Sequence, residues 1–370
     1  MNNNKKIKVL HIMPTLSSGG AERLVLDLLS NFSSDLFETE LLLFNGQGFF
    51  YKEALNKNIK ITVLKKNFKF DLINFIRIYK KIKSFSPDII HTHLGADIYG
   101  LLAGKLAGVK NIISTEHNVL LNNKKIYNFF KKIISKHFSK IIAVSSVIKK
   151  ELIDNFALSS ERVLVIYNGV DVDKFSDFHK IKKTDKIIIG SVGRLSYQKN
   201  YSLLLKALAD LENDNFKCLI VGEGDLRARL EGEIKALKLD DKVELLGEIN
   251  NIPEFLSQLD FFVLPSRWEG LGIVLLEAGL IGLPVLASAT GGILDIISDN
   301  KTGKLFKNND KVDLVNNLNY FLDDKNKEQL LVWANNLKEL VKNNFSIKKI
   351  TQQYEDLYLS LIKVYEDITG

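Results

Sequence analysis

The sequence is poor in the residues that staple, kink or anchor a chain. One cysteine, Cys218, stands among 370 residues, so neither a disulfide framework nor a cysteine-based zinc site is available. Such usage fits a reducing cytosol. There are only five prolines and no low-complexity tract, and the chain is 46% hydrophobic and 26% charged, as expected of a soluble globular protein. Clean hydrophobic runs are also missing. The best membrane candidate, residues 272 to 293, contains Glu277, Pro284 and several glycines, which argues for a buried helix followed by a buried strand. The opening "MNNNKKIKVLHIMPTL" is basic and then apolar, but the run Ile7 to Met13 is short and contains His11. It reads as a first strand, not a signal peptide.

What is present is a long chain with uneven charge. At 370 residues two domains are the default, because a single core stops growing at about 250–300 residues. The net charge of +7 hides an asymmetry: residues 1 to 180 hold 27 Lys/Arg against 16 Asp/Glu, and the remainder 24 against 28. Within 51 to 150 the balance is 20 against 5. One lobe therefore suits an anionic surface.

Short β-rich runs recur in the first half at "KVLHIM", "TELLLF", "ITVL", "DIIHTH", "NIIST", "IIAVS" and "VLVIYNG", with helical stretches such as Ala21 to Phe32 and Leu72 to Phe85 between them. This rhythm predicts βα units and a parallel sheet. A polar stretch, residues 171 to 186, is the linker candidate. The rhythm then restarts at "IIIGSVG", "KCLIVG", "KVELLG", "FFVLP" and "LPVLAS", and an amphipathic helix closes the chain. The expected architecture is α/β: two Rossmann-like, doubly wound parallel-sheet domains facing across a cleft. Their bounds are 1–172 and 173–345, with 346–370 a helix packing back across the lobes.

Ligands of open parallel sheets gather where strands lead into helices, and three such stretches carry chemistry. In "PTLSSGGAERLVLDLL", Gly19 and Gly20 precede a helix whose backbone amides could meet an anion; a tight turn with Glu22 in the first helical turn explains them equally well. In "VGRLSYQKNYSLLLKAL", Arg194 offers a planar fork and Lys199 a mobile point charge, a pair suited to a diphosphate. A solvated loop pair is the plainer alternative.

The third stretch, "SRWEGLGIVLLEA", places Glu269 and Glu277 on either side of a Gly270-Leu271-Gly272 bend. Buried acids are costly without partners. A helix beginning near Gly272 would expose amides that favour phosphate, with one carboxylate placed for hydroxyls on each side. A nucleotide sugar has that layout. Two further patterns are weaker. His91 and His93 share a strand face but lack an evident third ligand, so a metal is not expected. "VGEGDLRAR" opens like a dinucleotide fingerprint, yet Arg227 stands where the third glycine belongs.

"EGLGIVLLEA" resembles the E-x7-E motif of the retaining glycosyltransferases of family 4, which have the two-lobed GT-B fold. The resemblance runs nearly the whole chain through "GGAER", "HTHLGADIYG", "STEHN", "VIYNGVD", "VGRLSYQKN", "VGEGDLRARLE", "LLGEI" and "LPSRWEGLGIVLLEAGLIGLPVLASATGGILDII". It implies a metal-independent, cofactor-free hexosyltransferase of bacterial surface-polysaccharide type that uses a UDP-sugar, or less readily a GDP-sugar. Arg194 and Lys199 would bind the donor diphosphate, helped by the Gly20 backbone and the amides around Gly270 to Gly272. Glu277 would hold the ribose, Glu269 and His117 the donor sugar, and Glu248 and Ile249 would cradle the base. Asp295 departs from the glutamate commoner at its place and receives no contact.

Two Lys-rich segments, residues 73 to 85 and 124 to 140, mix Lys131, Lys132, Lys136 and Lys140 with Phe129, Phe130 and Phe138 in the second. A basic amphipathic helix with exposed Phe suits an anionic bilayer; an ordinary Rossmann helix is the competing reading. Nucleic acid is a poor competitor, because no stacking or groove-reading motif accompanies the lysines. The expected setting is the inner face of the cell membrane, with a lipid-linked glycan as acceptor. Two other readings stay open: a nucleotide-sugar epimerase of the same fold, and a non-catalytic nucleotide-sugar-binding protein.

Overall fold

A computed structural model describes residues 6–65, 71–118, 131–178 and 185–369. Contacts divide the chain into two units, Met1–Gly169 with Ile347–Gly370, and Val170–Ser346.

The first unit is built on seven strands: β1 (Ile7–Met13), β2 (Phe37–Leu43), β3 (Ile61–Val63), β4 (Ile89–His93), β5 (Asn111–Glu116), β6 (Lys140–Ala143) and β7 (Val163–Val165). Their order is β3-β2-β1-β4-β5-β6-β7, and every pairing is parallel. Helices cover such a sheet on both faces, so its central strands are mostly buried. Strand β4, "IIHTH", is buried at all five positions although three of them are polar. Those three must therefore find partners inside the protein.

The closing helix, Ile347–Thr369, belongs to this unit. Ile347, Ile350, Tyr354, Leu357 and Tyr358 recur at helical spacing and join a core with Val9, Leu24, Ile89, Ile113 and Ile142. Each large side chain buried in this way contributes roughly 1.5–3 kcal/mol, so the tail is a structural member of the unit.

The second unit repeats the plan with β8 (Ile187–Val192), β9 (Phe216–Val221), β10 (Val243–Gly247), β11 (Phe261–Leu264), β12 (Val285–Ser288) and β13 (Lys304–Phe306). Their order is β10-β9-β8-β11-β12-β13. The three-residue β13, which begins with Lys304 and is followed by Lys307, carries too little apolar pattern to be read from the sequence. In both sheets the order reverses beside the first strand, at β1/β4 and at β8/β11. Loops that leave neighbouring strands at such a point open away from each other, and a ligand can enter between them.

Two expectations need correction. The start of the segment 171 to 186 is not a free linker: Phe175 is buried, and Val170 N–H donates to the Phe345 carbonyl at 2.9 Å, so residues 171–178 belong to the second unit. (Residues 179–184 lie outside the described residues.) The second Lys-rich segment does not continue as one amphipathic helix to Lys140. Helix covers 131–135, turns follow, and β6 begins at Lys140, while Phe138 is 2% exposed. The aromatic is drawn into the core by the strand it precedes; Phe129 and Phe130 lie outside the described residues.

Candidate functional site

In the second unit the chain leaves β8 through residues 193 to 200 into the helix Tyr201–Ala209, and leaves β11 through residues 265 to 272 into the helix Ile273–Ile281. Because β8 and β11 are adjacent parallel strands, both loops emerge at the same edge of the sheet. Lys199 and Glu269, seventy positions apart, meet there with Nζ and Oε1 2.5 Å apart. Ser266 Oγ donates to the same carboxylate oxygen at 2.6 Å. Glu269 is 6% exposed, so its charge is held by a cation and a hydroxyl as burial requires.

The loop around Glu269 is fixed from several sides. Arg267 N–H donates to the Gln198 carbonyl at 2.8 Å, and Gln198 Nε2 returns a bond to the Trp268 carbonyl at 3.0 Å. Ser288 Oγ donates to the Ser266 carbonyl and Thr290 Oγ1 to that of Arg267. Gly292 N–H donates to the Glu269 carbonyl at 3.1 Å. Gly291 has φ +53°, and a Cβ there would stand 2.1 Å from the Glu269 carbonyl oxygen. This close approach presses the loop after β12 onto the Glu269 backbone, and only glycine permits it.

The remaining residues expected in this unit fall around that pair. Arg194 is exposed on the loop of Lys199, and among the described residues it forms no ion pair. Gly270 and Leu271 are buried, and Gly272 is the N-cap of the helix Ile273–Ile281, with no side-chain cap. Leu275 N–H bonds back to the Gly272 carbonyl at 2.9 Å, and the amides ahead of it are left for water or a ligand. Glu277 is the one charged residue of that helix and is half-buried. Glu248 is exposed and Ile249 half-buried just beyond β10, the outermost strand. Gly222 and Gly224 serve packing: a Cβ at Gly222 would meet the Gly193 carbonyl oxygen at 2.1 Å, and one at Gly224 the Leu195 carbonyl oxygen at 2.4 Å. Close approach of the β9 loop to the β8 loop explains both glycines without a dinucleotide.

The first unit holds the other expected residues. Gly20 opens the helix Gly20–Asn31 and is exposed. The Glu22 carboxylate folds back over Gly19, since a Cβ on Gly19 would stand 2.3 Å from Glu22 Oε2. An anion approaching those amides must displace it. His117 follows β5 and is 7% exposed.

Beside His117 lies a cluster that the sequence reading missed in part. His91 and His93 do have a third imidazole next to them: His11, which sits opposite His91 in the β1–β4 register. Ligand atoms of the three lie within 4.8 Å of one another. Hydrogen bonds engage both nitrogens of His91, through Tyr358 Oη and Thr115 Oγ1 at 2.7 Å each. They also engage both nitrogens of His93, through His11 Nδ1 at 3.1 Å and His117 Nε2 at 3.2 Å. None of these partners is a carboxylate that could balance a dication. Burial lowers His11 and His117 to about 3. Burial and neighbouring rings hold His91 and His93 well below the usual range, so all four rings are neutral. Next in sequence, Glu116 pairs with Lys131; burial raises its pKa even so.

Ser266, Gly291, Gly292 and His11 are the residues the sequence did not single out. Ser266 opens the quoted motif but carries no charge to draw notice. The two glycines stand in "TGGI" with nothing local to mark their contact, and His11 looked like an interruption of an apolar run.

Comparison with known proteins follows the same two-part division. The family described as "Glycosyltransferase Family 4" matches residues 18–174, and that described as "Glycosyl transferases group 1" matches residues 172–339. The UDP-Gal:alpha-D-GlcNAc-diphosphoundecaprenol alpha-1,3-galactosyltransferase of Escherichia coli is 29% identical over 97% of this chain and 98% of its own. An uncharacterized glycosyltransferase of Methanocaldococcus jannaschii is 30% identical over 80% of this chain and 81% of its own. Among solved structures, Anabaena HepE in complex with UDP and glucose superposes with a TM-score of 0.85 at 21% identity, covering 96% of this chain and all of that one. The architecture of the two units is that of the GT-B fold.

Proposed function

The chain belongs to the family 4 glycosyltransferases, and on that premise we propose that it moves a hexose or N-acetylhexosamine from a UDP-sugar to a lipid-linked glycan, with retention at the anomeric carbon. The Lys199–Glu269 pair carries the reading. A cation and an acid share one buried spot beside uncapped helix amides, which is what a diphosphate attached to a hydroxyl-rich sugar needs. On donor binding Lys199 turns to the diphosphate with Arg194, and Glu269, still held by Ser266, accepts from sugar hydroxyls. Glu277 takes the ribose, and the surroundings of Glu248 and Ile249 take the base.

The reaction is then a matter of position and charge. The bond from the anomeric carbon to the diphosphate oxygen breaks, and Arg194, Lys199 and the amides of Gly270 to Gly272 stabilise the charge that develops. The acceptor hydroxyl attacks from the same face, and its proton passes to the departing phosphate oxygen. With these fixed cations a metal is not required, so activity should survive chelation. A UDP-sugar should raise the melting temperature more than GDP- or ADP-sugars do, since a ligand bound only by the folded state stabilises it. No response to any of the three classes would refute the reading. Product anomers read by NMR test retention.

The acceptor reading draws support from the first unit's surface and from the lipid diphosphate named in the E. coli relative. No described helix is long and apolar enough to cross a membrane. The helix Leu72–Phe85 instead exposes Leu72, Ile73 and Ile76 beside Arg77, Lys80 and Lys83, and the helix Asp97–Ala107 exposes Ile98, Leu102 and Leu106 beside Lys105. Apolar residues among cations suit the headgroup region of an anionic bilayer, and this supports action at the inner face of the membrane. Equal recovery with neutral and anionic vesicles in flotation would count against this.

A further inference from the structure

Tyr197 is the one strongly exposed aromatic among the described residues of the second unit, at 62%. A single exposed ring on a loop is ordinary, but this one is held in place. The Arg267 guanidinium lies over its face, with Cζ 4.3 Å from the ring centroid. Arg267 Nη1 donates to Asn309 Oδ1 at 2.8 Å, while its Nε is buried with no hydrogen-bond partner. An unmatched buried N–H is costly, and the cation–π contact with Tyr197 is the interaction that offsets it.

Four loops at one edge of the sheet fix this stack. Arg267 N–H donates to the Gln198 carbonyl and Gln198 Nε2 donates to the Trp268 carbonyl, which ties the loops after β8 and β11 together beside Tyr197. The Arg267 carbonyl accepts from Thr290 Oγ1, after β12, at 3.1 Å and from Asn308 Nδ2, after β13, at 2.8 Å. The Trp268 ring stands 5.9 Å from that of Tyr197, tilted by 52°. With one face under Arg267, the exposure of Tyr197 leaves its other face to solvent. The result is a flat apolar surface, fixed before any ligand arrives, with a second ring at its side and side-chain amides around it.

A pyranose ring matches that surface. One side of the sugar is lined by C–H groups that pack on an aromatic face, and the hydroxyls at its edge need polar neighbours. Tyr197 is two residues from Lys199, and Trp268 adjoins Glu269. Glu269 is 6% exposed, however, so the platform borders the donor pocket on its solvent side. A saccharide lying outside the donor sugar is the acceptor. We propose that Tyr197, braced by Arg267, is a stacking platform for a pyranose ring of the acceptor glycan. Its assignment to the acceptor rests on the function proposed above; a sugar-binding face at Tyr197 does not.

Tryptophan emission can read this contact directly, because Trp333 is buried and Trp268 is the only other tryptophan. The probes are the methyl α-glycosides of glucose, galactose, N-acetylglucosamine and N-acetylgalactosamine, titrated into the full chain with UDP present. At least one should change the emission saturably in the wild type and in Tyr197→Phe, which keeps the ring. Tyr197→Ala and Tyr197→Leu should weaken it about threefold to tenfold, the scale of one aromatic contact; leucine still covers Arg267 but offers no flat face. No saturable change with any of the four, or equal affinity in wild type and Tyr197→Ala, overturns the platform. The rise in melting temperature with UDP, and the further rise with the best-binding UDP-sugar, should be the same in all four proteins. A smaller rise with UDP in Tyr197→Ala makes the ring a base stack, and loss of the further rise makes it a donor-sugar contact; either result overturns the acceptor assignment. If glycosides bind through Tyr197 but no UDP-sugar stabilises the protein, the functional reading has failed and the platform stands.

Discussion

The two units share a topology and differ in what they place at its switch point. At β1/β4 the first unit buries four neutral imidazoles in a hydrogen-bonded set. At β8/β11 the second unit places a charged pair, Lys199–Glu269, beside amides held open by glycine contacts. The same sheet order therefore serves opposite electrostatic ends. One switch point buries neutral rings and the other a charged pair, and the difference lies in a few side chains at strand ends.

Acid should separate the units most. A ring whose folded pKa is lowered stabilises the fold fully above its unfolded value, and that stability is lost as pH falls toward the folded one. His11 and His117, lowered from 6.5 to about 3, each cost about 2 kcal/mol at about pH 5. His91 and His93 act in the same direction, while Glu116, raised by burial, opposes them. Both tryptophans, Trp268 and Trp333, lie in the second unit. Far-UV ellipticity should begin to fall at higher pH than tryptophan fluorescence changes, and coincident transitions would erase the contrast.

Gly291→Ala comes next. It combines a left-handed backbone with a Cβ 2.1 Å from the Glu269 carbonyl oxygen, a strain of about 1–3 kcal/mol. Thermal denaturation should show the loss, together with a weaker response to donor. Lys199→Ala and Glu277→Ala should each lower turnover at least about tenfold, or about 1.4 kcal/mol, with the circular dichroism spectrum unchanged; a soluble Lys199→Ala enzyme at full activity would remove the charged pair from the mechanism. Ser266→Ala is the mildest. It removes one hydrogen bond from Glu269, and initial rates should fall by about threefold to fivefold.

Much of this was legible in the chain. Alternating β-rich and helical segments gave the α/β class, and the position of the helix after Gly272 followed from the bend of "EGLG" into a long apolar run. Glu269 and Glu277 stood out because a charge among apolar neighbours demands a partner, and Arg194 and Lys199 because they stand on the loop between a strand and its helix. The start of the linker was misjudged because 171–178 looks polar while a single Phe175 ties it down. Phe138 was misjudged because the lysine pattern was read as helix up to Lys140, although the β-rich run "IIAVS" just after it marks the strand whose approach takes Phe138 into the core.

The amino-acid order by itself determined where strands alternate with helices, where charge accumulates and which acids and cations need company. These are local properties, set by periodicity and by the cost of burying charge. Only the tertiary structure decided that Lys199 answers Glu269, that Gly291 must lie on the Glu269 backbone and that His11 completes a row with His93 and His117. Parallel strands bring residues from distant loops to a common edge, and strand order, which no local pattern encodes, selects which of them meet.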